Sequence, residues 1–509
     1  MSNLSLRVRV DSFVSWLYSD FSYSTPRGPK VVNDAILGNQ YFAPHEVVII
    51  DCPLLQRLKK IKQTGLVYQV FPSAQHTRFE HSLGVATVAE RCFNAIRDRA
   101  SFEEVDPDAR NAFDADRLSG DLAHLRMAAL LHDVGHGLCS HASEQIYNLY
   151  SDLAEFGEDP MFASNAPGEV LSYLIIHSDF FRSWFEENVN QACGATIDLD
   201  IVGQLILGKH PNPDKFYLAQ IISSPYDADK LDYIARDSYY CGLALTVDLP
   251  RFYSMIATAK VSGRRMMVLR NYVPLEQILF SKMTLIGSVY HHQKVKCLDH
   301  MLRSLVKHIL DNPTTCSVPI AGNPVHFSDP VQYLYVTDDE FFNQFQGFGD
   351  EFVQGMLLRF RQRNLFVRCV EVSVRTVDNW KSSGRNLLAS LEEDTEGLLG
   401  VEKRIYEALP AEVKASCSPG EIVLSVPEPP QILPRQALIQ PDPKTDPEPI
   451  RSFFPLLEWG ELYANHKWRS YVYAPSEYAS QVRDAAVAVL EEFGLEVNIA
   501  KSNRACHLV

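Results

Sequence analysis

Apolar residues recur with helical spacing along most of the chain. Leu54, Leu58 and Ile61 fall at i, i+4 and i+7, with Arg57, Lys59, Lys60 and Lys62 on the intervening faces, which predicts an amphipathic helix ended at Gly65. A second helix is predicted from about Glu80 to Arg97. Over 122–132 the positions after His124 and Arg126 are almost wholly apolar (Met127, Ala128, Ala129, Leu130, Leu131), the pattern of a buried helix running into a polar end. Further helical stretches are expected over 141–150, 168–177, 215–222, 228–239, 275–311 and 338–362. Residues 30–50 read as an extended segment punctuated by Pro29, Asn33, Asp34 and Gly38 ahead of the apolar run at 47–50. Near the C-terminus, 468–473 alternates as a strand, 476–493 returns to helical period, and 495–499 is a second short apolar stretch. The expected fold class is mainly α, a helical core with a small α/β C-terminal appendage.

Prolines divide this pattern. Ten of the 29 lie between Pro419 and Pro455, which reads as a linker or extended arm. The expected organisation is an N-terminal extension (1–29), a catalytic core (30–330), a helical C-terminal lobe (331–417), the Pro-rich linker (418–455) and a small α/β unit (456–509). With 509 residues, 46% of them hydrophobic and 22% charged, the chain has ample material for a core. The net charge of −15 repels a polyanionic backbone and argues against extended nucleic acid as a partner. Ten cysteines are scattered singly, without the close pairs of a zinc ribbon or a disulfide framework, which points to a reducing compartment and a cytoplasmic setting. The first thirty residues alternate polar and apolar positions and contain no signal-peptide core, and no apolar run approaches the ~18 residues of a membrane span.

Chemistry concentrates in four segments: His76-Thr77-Arg78-Phe79-Glu80-His81, His132-Asp133-Val134-Gly135-His136-Gly137, Ser140-His141, and Asp227-Ala228-Asp229-Lys230-Leu231-Asp232. A His-Asp dipeptide alone is weak evidence, since 16 histidines give roughly one by chance. Two imidazoles and two carboxylates on separate helices, His81, His132, Asp133 and Asp229, suit one divalent cation, with Fe, Mn, Co, Ni, Zn and Mg all compatible. Four protein ligands leave room on an octahedral ion for a water of lowered pKa, which is hydrolytic machinery.

In this order and context the segments resemble the HD-domain phosphohydrolase superfamily. The runs at 51–65, 71–85, 131–141 and 227–237 are similar to its deoxynucleoside triphosphate triphosphohydrolases, without the sterile-alpha-motif domain that the vertebrate branch adds. The match is strong over about 30–310 and looser at 356–372 and 468–490. The resemblance implies attack of a metal-activated water on the α-phosphorus of a dNTP, releasing deoxynucleoside and inorganic triphosphate, with a second Mg as a candidate companion of the nucleotide. It implies that Asp133, His136 and His141 are catalytic, that Arg78, His141 and Lys230 hold phosphates, and that Lys282 stands where relatives carry a phosphate-binding Arg. Gln63 and Asp237 would bracket the sugar 3′-hydroxyl, and Tyr233, with Tyr290 or His291, would exclude a 2′-hydroxyl. It also implies a homo-oligomer.

Two departures from the family pattern bear on activity. The His-Glu pair that opens the next helix in the family is replaced by Pro167-Gly168-Glu169-Val170. Either His136 or another nearby group such as His177 replaces the missing acid, or turnover is slow, or the substrate differs; loss of one general acid costs roughly 10²- to 10⁴-fold. Hydrolysis of another nucleotide, such as a nucleoside monophosphate, or of another phosphorylated small molecule, and a nucleotide-binding regulator with weak or no turnover, are the alternatives. Asp51, Gln56 and Lys59 resemble the family's second, activating nucleotide pocket, with Lys59 where an Arg is usual; a lysine lacks the bidentate stacked contact, which argues against activation by a guanine nucleotide. Without the resemblance, Arg57, Lys59, Lys60 and Lys62 read as a solvated helix face, Tyr233 and Tyr290 as core aromatics, Asp227 and Asp232 as caps or ion-pair partners, and Cys139 and Cys241 as packing residues.

Overall fold

The protein is described by a computed structural model. It describes residues 5–22, 28–102, 115–140, 142, 146–147, 150–163, 165–245, 247–320, 323–345, 349–429, 437–454 and 456–507. The helix expected over 141–150, and His141 with it, lies largely outside these residues.

The fold is mainly helical. Its centre is a bundle in which the helix Arg78–Phe102 packs against both Ala115–Leu131 and Ala228–Tyr240. The middle helix has no polar residue over Met127–Leu131, and each of these side chains is fully buried. Such a helix is held by packing on all sides, which fixes where its polar end emerges. The third helix starts at a defined residue because Asp227 caps it, its carboxylate accepting the Lys230 amide N–H at 2.8 Å.

Several elements differ from the periodicity. The N-terminal segment forms a helix, Leu6–Leu17, whose Leu6, Val10, Phe13 and Val14 enter the main core, so it is part of the body rather than an appendage. The helix over 54–61 shortens to Pro53–Arg57 and a 3-10 turn at Leu58–Lys60, and Arg57 is buried rather than solvated. Residues 30–50 form a hairpin, Lys30–Asp34 with Gly38–Phe42, followed by a helix, Pro44–Ile50, that takes the apolar run. The single helix expected over 275–311 is Val273–Leu285 and Gln293–Asp311 joined by a π turn at Ile286–Tyr290, where the His291 N–H reaches back to the Ile286 carbonyl. The stretch 338–362 likewise divides into Asp338–Gln344 and Glu351–Gln362.

Strands occupy the periphery. Ile256–Val261 and Arg264–Leu269 form an antiparallel pair extended by Leu438–Ile439 and Glu448–Pro449. A second sheet places Ser470–Ala474 between Val367–Val372 and Val423–Ser425. Residues 331–417, 418–455 and 456–509, which the sequence separates, each give this sheet one strand, and a second apolar core runs through it from Val370 to Leu424, Val472 and Leu490. Val423 and Leu424 are buried although they lie in the proline-rich stretch, because prolines flank the strand without interrupting its ladder.

Candidate metal centre

The three central helices bring His81, His132, Asp133 and Asp229 together. His81 sits in the first turn of Arg78–Phe102, His132 and Asp133 follow the end of Ala115–Leu131, and Asp229 opens Ala228–Tyr240. Ligand atoms of His81, His132 and Asp229 all lie within 4.8 Å of one another. Asp133 faces the same point, with its carboxylate 3.4 Å from His132 Nε2 and 3.8 Å from His81 Nε2.

Each imidazole is turned by its other nitrogen. His132 Nδ1 is 2.8 Å from the Ala129 carbonyl, which leaves Nε2 directed at the carboxylates; that buried atom has no hydrogen-bond partner among the described residues. His81 Nδ1 is 2.8 Å from Asp232, and its Nε2 is 2.9 Å from Asp229. Asp232 is fixed by Arg236, which donates to both its oxygens at 2.8 and 2.9 Å and to Asp34 at 2.8 Å. This carboxylate–histidine arrangement orients metal ligands and raises their basicity. Gly84 leaves room for it, since a Cβ there would come within 2.0 Å of the Asp232 carboxylate.

The electrostatics favour positive charge at this point. Burial works against protonation of His81, but its bonds to Asp229 and Asp232 outweigh that and push the imidazole up to about 10. Burial likewise opposes ionisation of Asp133, yet Arg78, then His132 and His136, hold it well below the usual carboxylate range. An orphaned imidazole nitrogen facing two ionised carboxylates fits a divalent cation.

The turn that follows His132 is clamped from outside. Arg57 donates to the carbonyls of Val134 at 2.8 Å, His136 at 2.6 Å and Leu334 at 3.4 Å. Ser172 Oγ donates to His132 O at 2.6 Å and accepts from the Gly135 N–H at 2.8 Å. Gly135 is required by this closeness, because a Cβ would fall 2.3 Å from the Gly168 carbonyl. Asp338 accepts the N–H groups of Lys62 and Cys139 at 2.8 and 2.7 Å, and its burial pushes the carboxyl up to about 6. Cys139 and Ser140 have φ of 53°, a strained geometry for residues other than glycine.

Cationic and aromatic groups surround the centre. Arg78 is buried, donating to Asp133 at 2.6 Å and to Ser140 Oγ at 2.9 Å; its remaining terminal nitrogen has no partner among the described residues. Lys230 reaches Asp227 at 2.7 Å. Burial, and then the neighbouring Lys230, lowers the Lys282 ammonium below its ordinary value. Asp237 is bonded on both oxygens, to His76 Nε2 at 2.7 Å and to the Tyr290 hydroxyl, and the π turn is what delivers Tyr290 there. Tyr233 is half-buried, and burial raises its hydroxyl pKa. Gln63 is buried with its Oε1 unpartnered among the described residues. His291 is held down to about 3 by burial, a neutral imidazole beside Tyr290.

Not every expected residue joins this cluster. His136 does, with Nδ1 3.2 Å from Asp133. His177 does not: it follows the C-terminal end of Pro167–Ile176, about 14 Å along the helix axis from Gly168, stacked on Tyr173 and 3.2 Å from Asp200. It is therefore not a replacement for the missing acid. Asp51, Gln56 and Lys59 form a separate group, with Asp51 paired to Lys30 at 2.6 Å, Gln56 donating to Ile50 O at 2.7 Å and Lys59 donating to Gln56 at 2.8 Å.

Sequence reasoning missed Arg57, Asp34, Asp338, Ser172 and the bond from Asp232 to His81. Only the i, i+4 pair Asp232 and Arg236 left a trace, as residues on one helix face.

Residues 78–237 match the HD domain and residues 254–497 match the HD associated region. An uncharacterized protein of Methanocaldococcus jannaschii is 31% identical over 284 residues, 55% of this chain and 50% of that protein. A deoxynucleoside triphosphate triphosphohydrolase SAMHD1 homolog of Dictyostelium discoideum is 27% identical over 288 residues, covering 56% of this chain and 50% of its own length. The deoxynucleoside triphosphate triphosphohydrolase SAMHD1 of Bos taurus is 26% identical over 415 residues, 78% of this chain and 64% of its own. The chain thus spans from half to just under two thirds of the length of these relatives.

Proposed function

Because this chain carries an HD domain followed by an HD-associated region and is homologous to deoxynucleoside triphosphate triphosphohydrolases, we propose that it is a metal-dependent phosphohydrolase that cleaves a dNTP into deoxynucleoside and inorganic triphosphate. The observation that carries this reading is the convergence of His81, His132, Asp133 and Asp229 around a buried, unpartnered imidazole nitrogen beside Arg78, Lys230 and Lys282. A divalent cation held by the four residues would lower the pKa of water and offset phosphate charge.

The chain's own residues then divide the work. Arg78, already oriented by Asp133 and Ser140, has a buried N–H for a phosphate oxygen. Lys230 and the neighbouring Lys282 add two ammonium groups, and a phosphate anion relieves their mutual repulsion. Water adds to the α-phosphorus as the bond to the sugar 5′-oxygen breaks, and that oxygen takes up a proton. His136, beside Asp133, supplies an imidazole for that transfer in place of the residue that Gly168 lacks. Asp237, with Tyr290 and Gln63, offers acceptors for a sugar hydroxyl, and Tyr233 the adjoining wall.

Homo-oligomerisation and a cytoplasmic setting belong to the same proposal. The exposed Phe280 and Leu462, with Trp459 edge-on to Phe280 at a centroid distance of 4.5 Å, offer an apolar surface for the first. Ten free cysteines support the second. No helix among the described residues is long and apolar enough to cross a membrane.

The test is to strip the metal, restore Mn, Fe(II), Co or Mg singly, and resolve the products from each dNTP and NTP by ion-pair chromatography. Inorganic triphosphate should appear with dNTPs, and Asp133→Ala should lower kcat/KM by at least about 10³-fold, the scale of losing a principal charge-stabilising group. Retained dNTP binding with no product under any metal would overturn the enzymatic reading and leave a nucleotide-binding regulator.

A further inference from the structure

A second group of metal-binding side chains lies away from the HD centre. His308 stands in the last turn of Gln293–Asp311, Cys316 follows shortly after that helix, and Asp350 caps Glu351–Gln362 by accepting the Val353 N–H at 2.9 Å. Ligand atoms of the three lie within 4.8 Å of one another. Cys316 is fully buried, whereas His308 and Asp350 keep 29% and 20% of their side chains exposed. The thiol thus forms the floor and the harder ligands the rim, with solvent above. Phe352 packs on the His308 ring, centroids 4.5 Å apart, and fixes its plane.

The spacing that makes an ion pair here is also that of a ligand set. His308 Nε2 lies 3.2 Å from both oxygens of Asp350. A charge-assisted N–H···O bond closes to about 2.7–2.9 Å and favours one acceptor. Two nitrogen and oxygen ligands at about 2.0 Å on a tetrahedral zinc stand about 3.3 Å apart, close to the separation seen. A thiol, an imidazole and a carboxylate together select a borderline-soft cation over magnesium or calcium.

We propose that His308, Cys316 and Asp350 bind a second divalent cation of the zinc type, with solvent as its fourth ligand. Its position gives it a structural role. The segment between Cys316 and Asp350 is the strap over the turn after His132: Tyr333 O accepts the Leu138 N–H, Leu334 O accepts from Arg57, and Asp338 holds Lys62 and Cys139. A cation between Cys316 and Asp350 ties the two ends of this strap together and restricts its unfolded ensemble as a cross-link does.

Cobalt tests this in the full-length chain, using Asp133→Ala to weaken the HD centre. The expected result is thiolate-to-Co(II) charge-transfer absorption saturating at one ion per chain. Cobalt left on His81, His132 and Asp229 lacks a sulfur ligand and does not contribute to that band. Cys316→Ser should abolish it. Asp350→Asn, which preserves the helix cap, should weaken cobalt binding at least tenfold while leaving the Tm in chelator unchanged, which keeps the test open if the cysteine variant fails to fold. Absence of a thiolate band from the cobalt-saturated Asp133→Ala chain, or a band unchanged by both Cys316→Ser and Asp350→Asn, would overturn the proposal.

Discussion

The HD centre and the C-terminal sheet unit solve opposite problems. In the centre, charged groups are buried and almost all are spoken for: Asp133 by Arg78, His81 by Asp232, Asp232 by Arg236, Asp237 by His76 and Tyr290. In the outer unit the core is apolar, through Val370, Val372, Leu424, Val472, Ala474, Val482 and Leu490. Buried ion pairs cost desolvation that their attraction only partly returns, whereas apolar burial contributes about 25 cal/mol per Å². The centre thus holds charge in place at a cost in stability, and the outer unit holds structure. Substitutions in the two regions should separate function from stability.

The sharpest division is expected from Leu424→Ala. It removes a buried side chain from the outer core and should cost about 2–5 kcal/mol in denaturant unfolding, with kcat and KM unchanged at temperatures where the chain stays folded. A fall in kcat at constant fold would break the division.

Asp338 lies at the join, and pH reads it. Its carboxyl is raised to about 6 when folded, above an unfolded value near ~3.9, so the folded state holds the extra proton between them. Its contribution is fully present below about pH 4 and lost as pH rises through 6, a difference of about 3 kcal/mol. Unfolding of the wild type measured against Asp338→Asn across this window should show that relative loss, and parallel pH profiles would contradict it.

Asp232→Asn has the smallest expected effect and the most selective. The change keeps the shape and leaves Arg236 its bond to Asp34, but weakens the hold on His81. Metal affinity or kcat/KM should fall roughly 10- to 100-fold, read by metal titration beside a Tm scan. An unchanged metal affinity would remove Asp232 from the centre's support.

The positions of the centre were legible through context: His81, His132, Asp133 and Asp229 lie far apart in the chain, and the polar runs around them, taken together, single them out. The helices that carry them were legible for a related reason, since Leu122 to Leu131 can only be a buried helix in this context. What escaped was long-range pairing. Nothing local marks Val423–Ser425 as the neighbour of Ser470–Ala474, because edge pairing depends on backbone groups that every residue carries. Arg57 escaped likewise: surrounded by lysines in the sequence, it reads as surface, and only the folded chain reveals the three carbonyls it binds. Tyr290 was singled out, but the π turn that aims it has no periodic signature.

The strap has one more consequence, in the order of events during synthesis. Asp338 and Leu334 lie 276 and 277 positions from the Lys62 and Arg57 they meet. Domains fold largely from the N-terminus as the chain emerges. His81, His132, Asp133 and Asp229 have therefore been translated well before the residues that clamp the turn after His132 exist. A nascent chain can carry all four side chains on a loose turn, and the geometry of the centre waits for a segment that supplies none of them.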